Sequence, residues 1–197
     1  MNRIVWLLFA VVLVVGCTNE NAIEGDRYFA DGEYNKAVKA YTDYIKLNPT
    51  SVKSIYNRGR AYEELGQYDK AFSDWSQVME LDKKNTSALL SLSTHYYRNE
   101  RYDQAAYQAD EAIEINPQLA DAHFWKGRSL HQQGVFQDAL SAYNAAISLD
   151  DDNGEFYLYR GAIYAHFKNT TKACNDFRLA SNLEVEDAKE AISKYCR

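Results

Sequence analysis

The sequence is poor in the residues that interrupt regular structure. Its 197 residues include only two prolines and nine glycines, which argues against long linkers and disordered segments. Basic residues are also scarce, with 22 lysines and arginines against 28 acidic residues. A net negative chain without a basic stripe is a poor ligand for DNA or RNA. We therefore expect one continuous domain that binds no nucleic acid.

Motifs that carry catalysis or bind metals are lacking as well. The four histidines are His95, His123, His131 and His166, and none lies in a nucleophile elbow, a glycine-rich phosphate loop or a metal-binding spacing. We interpret them as polar surface residues. The acidic stretch 150–155 resembles half of a calcium loop, but its spacing fails the EF-hand pattern. The sequence predicts no enzyme, no cofactor and no metal site.

The sequence has instead a period of 34 residues that continues without insertion or deletion. One column of the period consists of alanines, namely Ala37, Ala71, Ala105, Ala139 and Ala173. A second column holds small residues, namely Gly25, Gly59, Ser93, Gly127 and Gly161. Antiparallel helices approach closely only where side chains are small, so these columns mark the crossing of two helices in each period. Bulky residues such as Trp75 are expected to fill the gaps beside the crossing.

Glycine and proline mark the ends of these helices. Gly32, Gly66 and Gly134 fall where the first helix of a period must end, at a position that favours glycine. Pro49 and Pro117 end the second helix, because the residue before a proline avoids the helical conformation. Each period therefore predicts a helix–turn–helix unit.

The period and its columns resemble the tetratricopeptide repeat, a 34-residue helix–turn–helix unit. The segment YNRGRAYEELGQYDKAFSDW, residues 56–75, is close to the family pattern. The resemblance implies an all-α fold, a right-handed superhelical solenoid of five units with a C-terminal capping helix. The units are expected at 18–51, 52–85, 86–119, 120–153 and 154–187, and the cap at 188–197 with its helix from about Asp187 to Tyr195.

Three of the units depart from the family pattern. The first is weak at its front, residues 18–24, where the family usually has a bulky residue. The third unit has Ser93 in the small-residue column and Glu100 at the turn. The fifth has Lys168 and Thr170 where glycine and an aromatic residue are usual. Terminal repeats are commonly atypical, but the third repeat is internal.

The first seventeen residues resemble the leader of a bacterial lipoprotein. After Arg3, residues 4–15 form an apolar run, which is shorter than the roughly 20 residues of a membrane-spanning helix and suits a secretory signal. The run closes with Val-Val-Gly16-Cys17, which resembles a lipobox. We expect a signal peptide at 1–16, lipidation of Cys17 and residence in the bacterial cell envelope. The alternative is an uncleaved signal anchor with an incidental cysteine.

Two further details bear on that compartment. Thr18 follows the cysteine, and the absence of Asp there favours the outer membrane, with the protein facing the periplasm. In an oxidising compartment Cys174 and Cys196 could form a disulfide that ties the cap to the last repeat. Two independent, half-buried thiols are the alternative.

The family resemblance also implies a set of partner-binding residues, because the first helices of the units line an inner groove. The positions carried onto this chain are Tyr56, Asn57, Arg60, Tyr97, Arg98, Phe124, Trp125, Arg128 and Tyr159. Aromatic residues with arginine are typical of binding hot spots, although each ring could instead pack between repeats. Family members that bind chaperones hold a C-terminal carboxylate with a set of lysine, asparagine and arginine side chains, which no frame of this sequence provides.

Together these features predict a membrane-anchored repeat lipoprotein that binds another envelope protein or a peptide and acts as a scaffold or assembly factor. Membrane attachment is expected through the lipid anchor. Two alternatives stay open. The aromatic groove could capture a glycan or small ligand, or the protein could form a homo-oligomer through an open solenoid end or an exposed aromatic patch.

Overall fold

The computed structural model describes residues 22–196, and these residues form eleven α-helices and no β-strand. Residues 22–30 are helical and form α1. The others are α2 (Tyr34–Leu47), α3 (Val52–Glu64), α4 (Tyr68–Leu81), α5 (Thr86–Arg98), α6 (Tyr102–Ile115), α7 (Ala120–Gln132), α8 (Phe136–Leu149), α9 (Gly154–His166), α10 (Thr170–Asn182) and α11 (Asp187–Tyr195). The predicted all-α fold is confirmed. The signal peptide and Cys17 lie outside the described residues.

The helices follow the 34-residue period. Helices α3, α5, α7 and α9 begin at residues 52, 86, 120 and 154, the first residues of the expected units. Residues 65–67 join α3 to α4, and turns of the same length join the helices of the other repeats. Helices α2 and α6 end directly before Asn48-Pro49 and Asn116-Pro117. Within residues 22–196, no helix combines the length and the apolar character needed to cross a membrane.

The chain forms two compact units, divided in the sequence between Ala88 and Leu89. Each unit has its own core. In the first, Tyr41 packs with Ala37 of its own helix and with Ala61 of α3, and Ile55 packs with Val78. In the second, the core is built around Phe124, Tyr143 and Phe156.

The turns inside the repeats require a left-handed backbone conformation. Gly32, Gly66 and Gly134 have φ of 73°, 70° and 78°, so the prediction that glycine ends these helices is confirmed. Glu100 and Lys168 occupy the equivalent positions with φ of 58° and 57°. The third and fifth repeats therefore keep the turn geometry although they lack the glycine, at the steric cost of a Cβ atom in this region.

The small-residue column lies against bulky aromatic rings. A Cβ atom added to each glycine would stand 2.6–2.8 Å from a ring atom. The facing pairs are Gly25 with Tyr41, Gly59 with Trp75, Gly127 with Tyr143 and Gly161 with Phe177. In the third repeat the residue equivalent to these aromatics is Ala109, fully buried, and Ser93 donates a hydrogen bond of 2.8 Å to the Ala105 carbonyl. Ser93 is thus matched by a smaller facing residue.

A buried ion pair holds α9 in place. Arg160 donates from Nε and Nη2 to the two carboxylate oxygens of Asp176 on α10, both at 2.8 Å, and from Nη1 to Asn144 on α8 at 2.8 Å. The Asp176 side chain is 5% exposed. This two-point geometry is a strong form of charge-assisted hydrogen bonding. It fixes the orientation of α9 relative to the helices on either side of it.

The C-terminal helix α11 is tied to α10. Cys174 and Cys196 were expected either to form a disulfide or to be independent thiols. The structure has the disulfide, and the Cα atoms of the two residues are 5.5 Å apart. Ala188 is buried with Tyr157 and Ala180. Helix α11 therefore covers apolar surface that the last repeat would otherwise expose, as expected of a cap.

Candidate functional site

Arg128 lies on α7, in the compact unit that begins at Leu89. Its guanidinium is surrounded by aromatic rings. Its Cζ atom lies 4.3 Å from the centroid of Tyr159, 4.5 Å from Tyr97, 5.1 Å from Trp125 and 5.7 Å from Phe124. All four distances are within the roughly 6 Å range of cation–π attraction. We call these five residues the aromatic box.

The rings of the aromatic box also pack on one another. The ring centroids of Tyr97 and Trp125 are 5.5 Å apart and those of Phe124 and Tyr159 are 5.6 Å apart, both edge to face. This is a favoured geometry for aromatic pairs. Because the rings come from α5, α7 and α9, the aromatic box joins the first helices of three successive repeats.

A step of 31 residues, one helical turn shorter than the period, accounts for this assembly. Arg128 Nη2 donates to the hydroxyl of Tyr97, 31 residues earlier, at 3.2 Å. In the first unit, Asn57 Nδ2 donates to Asp26, also 31 residues earlier, at 2.9 Å. Neighbouring first helices are therefore offset by one turn, and this offset brings Tyr97, Arg128 and Tyr159 into one diagonal row.

The hydroxyl of Tyr97 accepts two hydrogen bonds. One comes from Arg128, and the other comes from Gln132 Nε2 at 3.1 Å. A phenolic oxygen that accepts twice still has its own proton to donate. The structure gives this proton no acceptor within residues 22–196. Tyr97 therefore presents an unused donor beside a cation.

Arg128 itself has unused hydrogen-bonding capacity. Its Nε atom is buried and has no acceptor, and no carboxylate of residues 22–196 pairs with the guanidinium. A guanidinium carries five N–H donors, and within the described chain only the bond to Tyr97 uses one of them. Within the described residues, the guanidinium therefore lies against ring faces and has no ion-pair partner.

Tyr143 lies behind the aromatic box and is fully buried. Its ring stacks on Tyr159 at 6.4 Å between centroids, and its hydroxyl has no hydrogen-bond partner. Burial raises the pKa of Tyr143 far above its usual range, although the charge of Arg128 opposes this. Burial likewise raises the pKa of Tyr159. Both rings are neutral, so they offer apolar faces and no negative charge to Arg128.

One predicted contact residue is wrong. Phe124 is 4% exposed and packs on Phe156 at 4.8 Å between ring centroids, so it belongs to the core and is closed to a partner. Trp125, the next residue on α7, points away from that core and is half-buried. Of the other predicted residues in this unit, Tyr97, Arg128 and Tyr159 are half-buried, and Arg98 is exposed.

Of the predicted residues in the compact unit that ends at Ala88, Asn57 binds Asp26, a residue to which the sequence did not point. Asp26 accepts from Tyr41 at 2.7 Å, from Lys53 at 2.7 Å and from Asn57 at 2.9 Å. Burial alone would raise the pKa of Asp26, but these hydrogen bonds and the charge of Lys53 lower it below its usual value. The predicted residue Asn57 is therefore committed to an internal carboxylate.

The other two predicted residues of this unit differ in exposure. Arg60 is exposed, and its Cζ atom lies 4.4 Å from the ring centroid of Phe29. Tyr56 is half-buried against the core that contains Ile55 and Val78. Of the three, Arg60 offers the most accessible side chain.

Histidine and acidic side chains do not assemble into a metal centre in this part of the chain. Within residues 22–196, no three histidine, cysteine, aspartate or glutamate residues lie close enough together to hold an ion. His131 and His166 flank Phe136, with ring centroids 5.7 Å and 4.3 Å from it. They therefore belong to an aromatic cluster at the turn between α7 and α8.

Comparison with known families decides the family. Models of the tetratricopeptide repeat match residues 25–66 and 52–85, and a further one matches residues 90–153 and 132–180. The chain belongs to the tetratricopeptide repeat family. No curated protein matches its sequence.

Solved structures with the same fold include several repeat proteins. MamA from Desulfovibrio magneticus is 17% identical, with a TM-score of 0.77 over 85% of this chain and 95% of that one. YrrB, described as a tetratricopeptide repeat protein with an unusual peptide-binding site, is 20% identical, with a TM-score of 0.71 over 88% and 90%. A thermophilic repeat protein of Thermus thermophilus is 19% identical, with a TM-score of 0.69 over 91% and 97%. At these identities the likeness is one of fold.

Proposed function

We propose that this tetratricopeptide repeat protein is a lipid-anchored adaptor of the bacterial cell envelope that binds a peptide segment of another envelope protein at the aromatic box. The observation that carries the proposal is Arg128. Its guanidinium lies among four aromatic rings and has no ion-pair partner in residues 22–196. Tyrosine, tryptophan and arginine are the residues that dominate binding energy at protein interfaces.

The arrangement of the rings favours a peptide over a glycan. Sugars stack on open aromatic faces, but here the faces of Tyr97, Trp125 and Tyr159 are turned toward Arg128. What the site offers instead is ring edges, one cation and unused hydrogen-bond donors. Backbone carbonyls and acidic side chains match those groups. The peptide-binding site described for the structurally similar YrrB agrees with this preference.

Membrane attachment is assigned to the lipid on Cys17. The support is the apolar run 4–15 followed directly by Gly16-Cys17, a placement typical of lipoprotein signals. Helical residues are present by residue 22, so the tether from Cys17 can reach at most about 18 Å. The adaptor would then act close to the membrane surface, in the outer membrane if Thr18 acts as a sorting signal.

A photo-crosslinking amino acid in place of Glu155 tests the binding function in living cells. Glu155 is exposed on α9, one turn before Tyr159, so the two share a helix face. Gln137, exposed on α8, is the matched control because α8 contributes no ring to the aromatic box. We expect one dominant protein adduct from position 155 and none from position 137. Adducts only between copies of this chain would indicate self-association, and the absence of any protein adduct would contradict the proposal.

The anchor is tested independently by Cys17→Ala. If Cys17 carries the lipid, the parent chain incorporates labelled palmitate and this variant does not. A parent chain that incorporates no palmitate would instead be held by an uncleaved signal anchor.

A further inference from the structure

The partner's chemistry can be inferred from what the aromatic box lacks. Burying part of a charged group costs free energy unless the group is paired and hydrogen-bonded. Ring faces attract the guanidinium of Arg128, but they accept hydrogen bonds poorly and carry no net charge. Within residues 22–196, this guanidinium makes one hydrogen bond, to Tyr97, and its other N–H donors have no acceptor. The missing component is an anionic hydrogen-bond acceptor.

We propose that Arg128 and the hydroxyl of Tyr97 bind the carboxylate of a glutamate or aspartate side chain in the partner peptide. This inference rests on the proposed function and names the chemistry of its ligand. Tyr97 already accepts from Arg128 and from Gln132, so its O–H donates outward. One carboxylate oxygen accepts this proton while the other faces the guanidinium. Bonds of this charge-assisted kind are about twice as strong as neutral ones.

The depth of the site selects a side chain over a chain terminus. Arg128 is half-buried, and its Nε atom is fully enclosed by the surrounding rings. A C-terminal carboxylate is attached directly to the peptide backbone, so the backbone itself would have to enter between the rings. The methylene groups of a glutamate or aspartate pass between apolar rings without leaving a polar group unpaired. The partner is therefore an internal acidic segment.

The experiment uses the full chain in living cells, with the photo-crosslinker at position 155 and mass spectrometric mapping of the partner segment. We expect a glutamate or aspartate within a few residues of the crosslinked position. Arg128→Gln should lower the adduct yield about tenfold or more, the cost of losing a charged hydrogen-bond partner. Tyr97→Phe should lower it severalfold. Arg128→Lys, which keeps the charge but loses the planar fork, should give an intermediate yield.

A substitution in the partner keeps the test valid if a box variant folds poorly. Replacing the mapped acidic residue of the partner by its amide should lower the adduct yield as much as Arg128→Gln does. Combining the two substitutions should lower the adduct yield no further. An unchanged yield in Arg128→Gln, or a mapped segment without an acidic residue, would overturn the carboxylate proposal while leaving the adaptor function in place. A crosslink at the partner's C-terminus that is lost when residues are added to that terminus would also overturn the carboxylate proposal. No protein adduct at all would remove the adaptor function itself.

Discussion

Gly59 lies so close to the indole of Trp75 that a Cβ atom at residue 59 would stand 2.6 Å from Nε1. Trp75 is 1% exposed, and the same contact is repeated in three other repeats with tyrosine or phenylalanine. Close packing of this kind leaves no room for a methyl group without displacing the ring. The helix pair of each of these repeats is therefore held at a distance set by one missing side chain.

Gly59→Ala should destabilise the protein by about 1–3 kcal/mol through overpacking. The third repeat supplies the matched test, because Ser93 stands opposite the position of Ala109. Ala109→Tyr alone should be destabilising, and adding Ser93→Gly should recover part of the loss. Urea unfolding of the two single variants and the double variant measures the coupling. Purely additive effects would show that these positions do not face each other.

Two tyrosines at equivalent positions of different repeats should respond oppositely to loss of the hydroxyl. Tyr143 has a buried hydroxyl without a partner, so Tyr143→Phe should be neutral or stabilising by up to about 1 kcal/mol. Tyr41 donates to Asp26 at 2.7 Å, so Tyr41→Phe should cost about 1–3 kcal/mol. Thermal unfolding followed by circular dichroism compares the two. Equal losses for both variants would mean that Tyr143 has a partner in solution.

The left-handed turn residues predict opposite effects of glycine and alanine. Glu100→Gly and Lys168→Gly should each stabilise the protein by about 0.5–1 kcal/mol, because a Cβ atom is unfavourable at their φ of 58° and 57°. Gly66→Ala, at φ 70°, should cost about 1 kcal/mol. Chemical denaturation measures all three variants. A loss of stability in Glu100→Gly would indicate that its side chain contributes more than the backbone strain costs.

His131 should make stability depend on pH. Burial, followed by the charges of His166 and Arg128, lowers the pKa of His131 below its usual value of 6.5. The folded state therefore binds its proton more weakly than the unfolded state does, and the stabilisation is complete above about pH 6.5 and is lost as the pH falls through the folded pKa. Unfolding midpoints from pH 7.5 to 5 should decline less steeply in His131→Phe than in the parent chain.

His123→Gln is the control for that experiment. His123 lies near the start of the same helix, where its Nε2 atom is 3.0 Å from the carbonyl of Pro117. This variant removes a histidine from the same helix and leaves the aromatic cluster of His131, Phe136 and His166 intact. The same flattening in both variants would assign the pH dependence to histidine content in general and not to the environment of His131.

The fold could be predicted from the sequence because its period reports packing directly. All five alanines of the first column are fully buried, and both proline-marked helix ends lie where the sequence put them. Ser93 could not be understood alone, since its fit depends on the small size of Ala109. The columns of the period show which residues face inward. The size match between residues of two columns becomes apparent only when the two helices of a repeat are paired.

The site was predictable residue by residue but not as an assembly. Family positions pointed to Tyr97, Arg128 and Tyr159, yet their meeting depends on the one-turn offset between neighbouring helices, which the period does not contain. Family positions also assigned both Phe124 and Trp125 to the groove, but a rotation of about 100° per residue separates adjacent side chains on a helix. A comparison of residues 31 positions apart would have identified the row of Tyr97, Arg128 and Tyr159. It would also have linked Asn57 to Asp26.

The matched sizes of the facing columns have a consequence for how such genes can recombine. An exchange of DNA at a repeat boundary transfers both members of a facing pair together, so the hybrid protein keeps every fit. An exchange within a repeat, at the turn around Glu100, would separate Ser93 from Ala109. The hybrids would then set a serine against an aromatic ring or a glycine against an alanine, a clash in one product and a void in the other. Whole repeats are thus the units that can be shuffled, and half repeats are not.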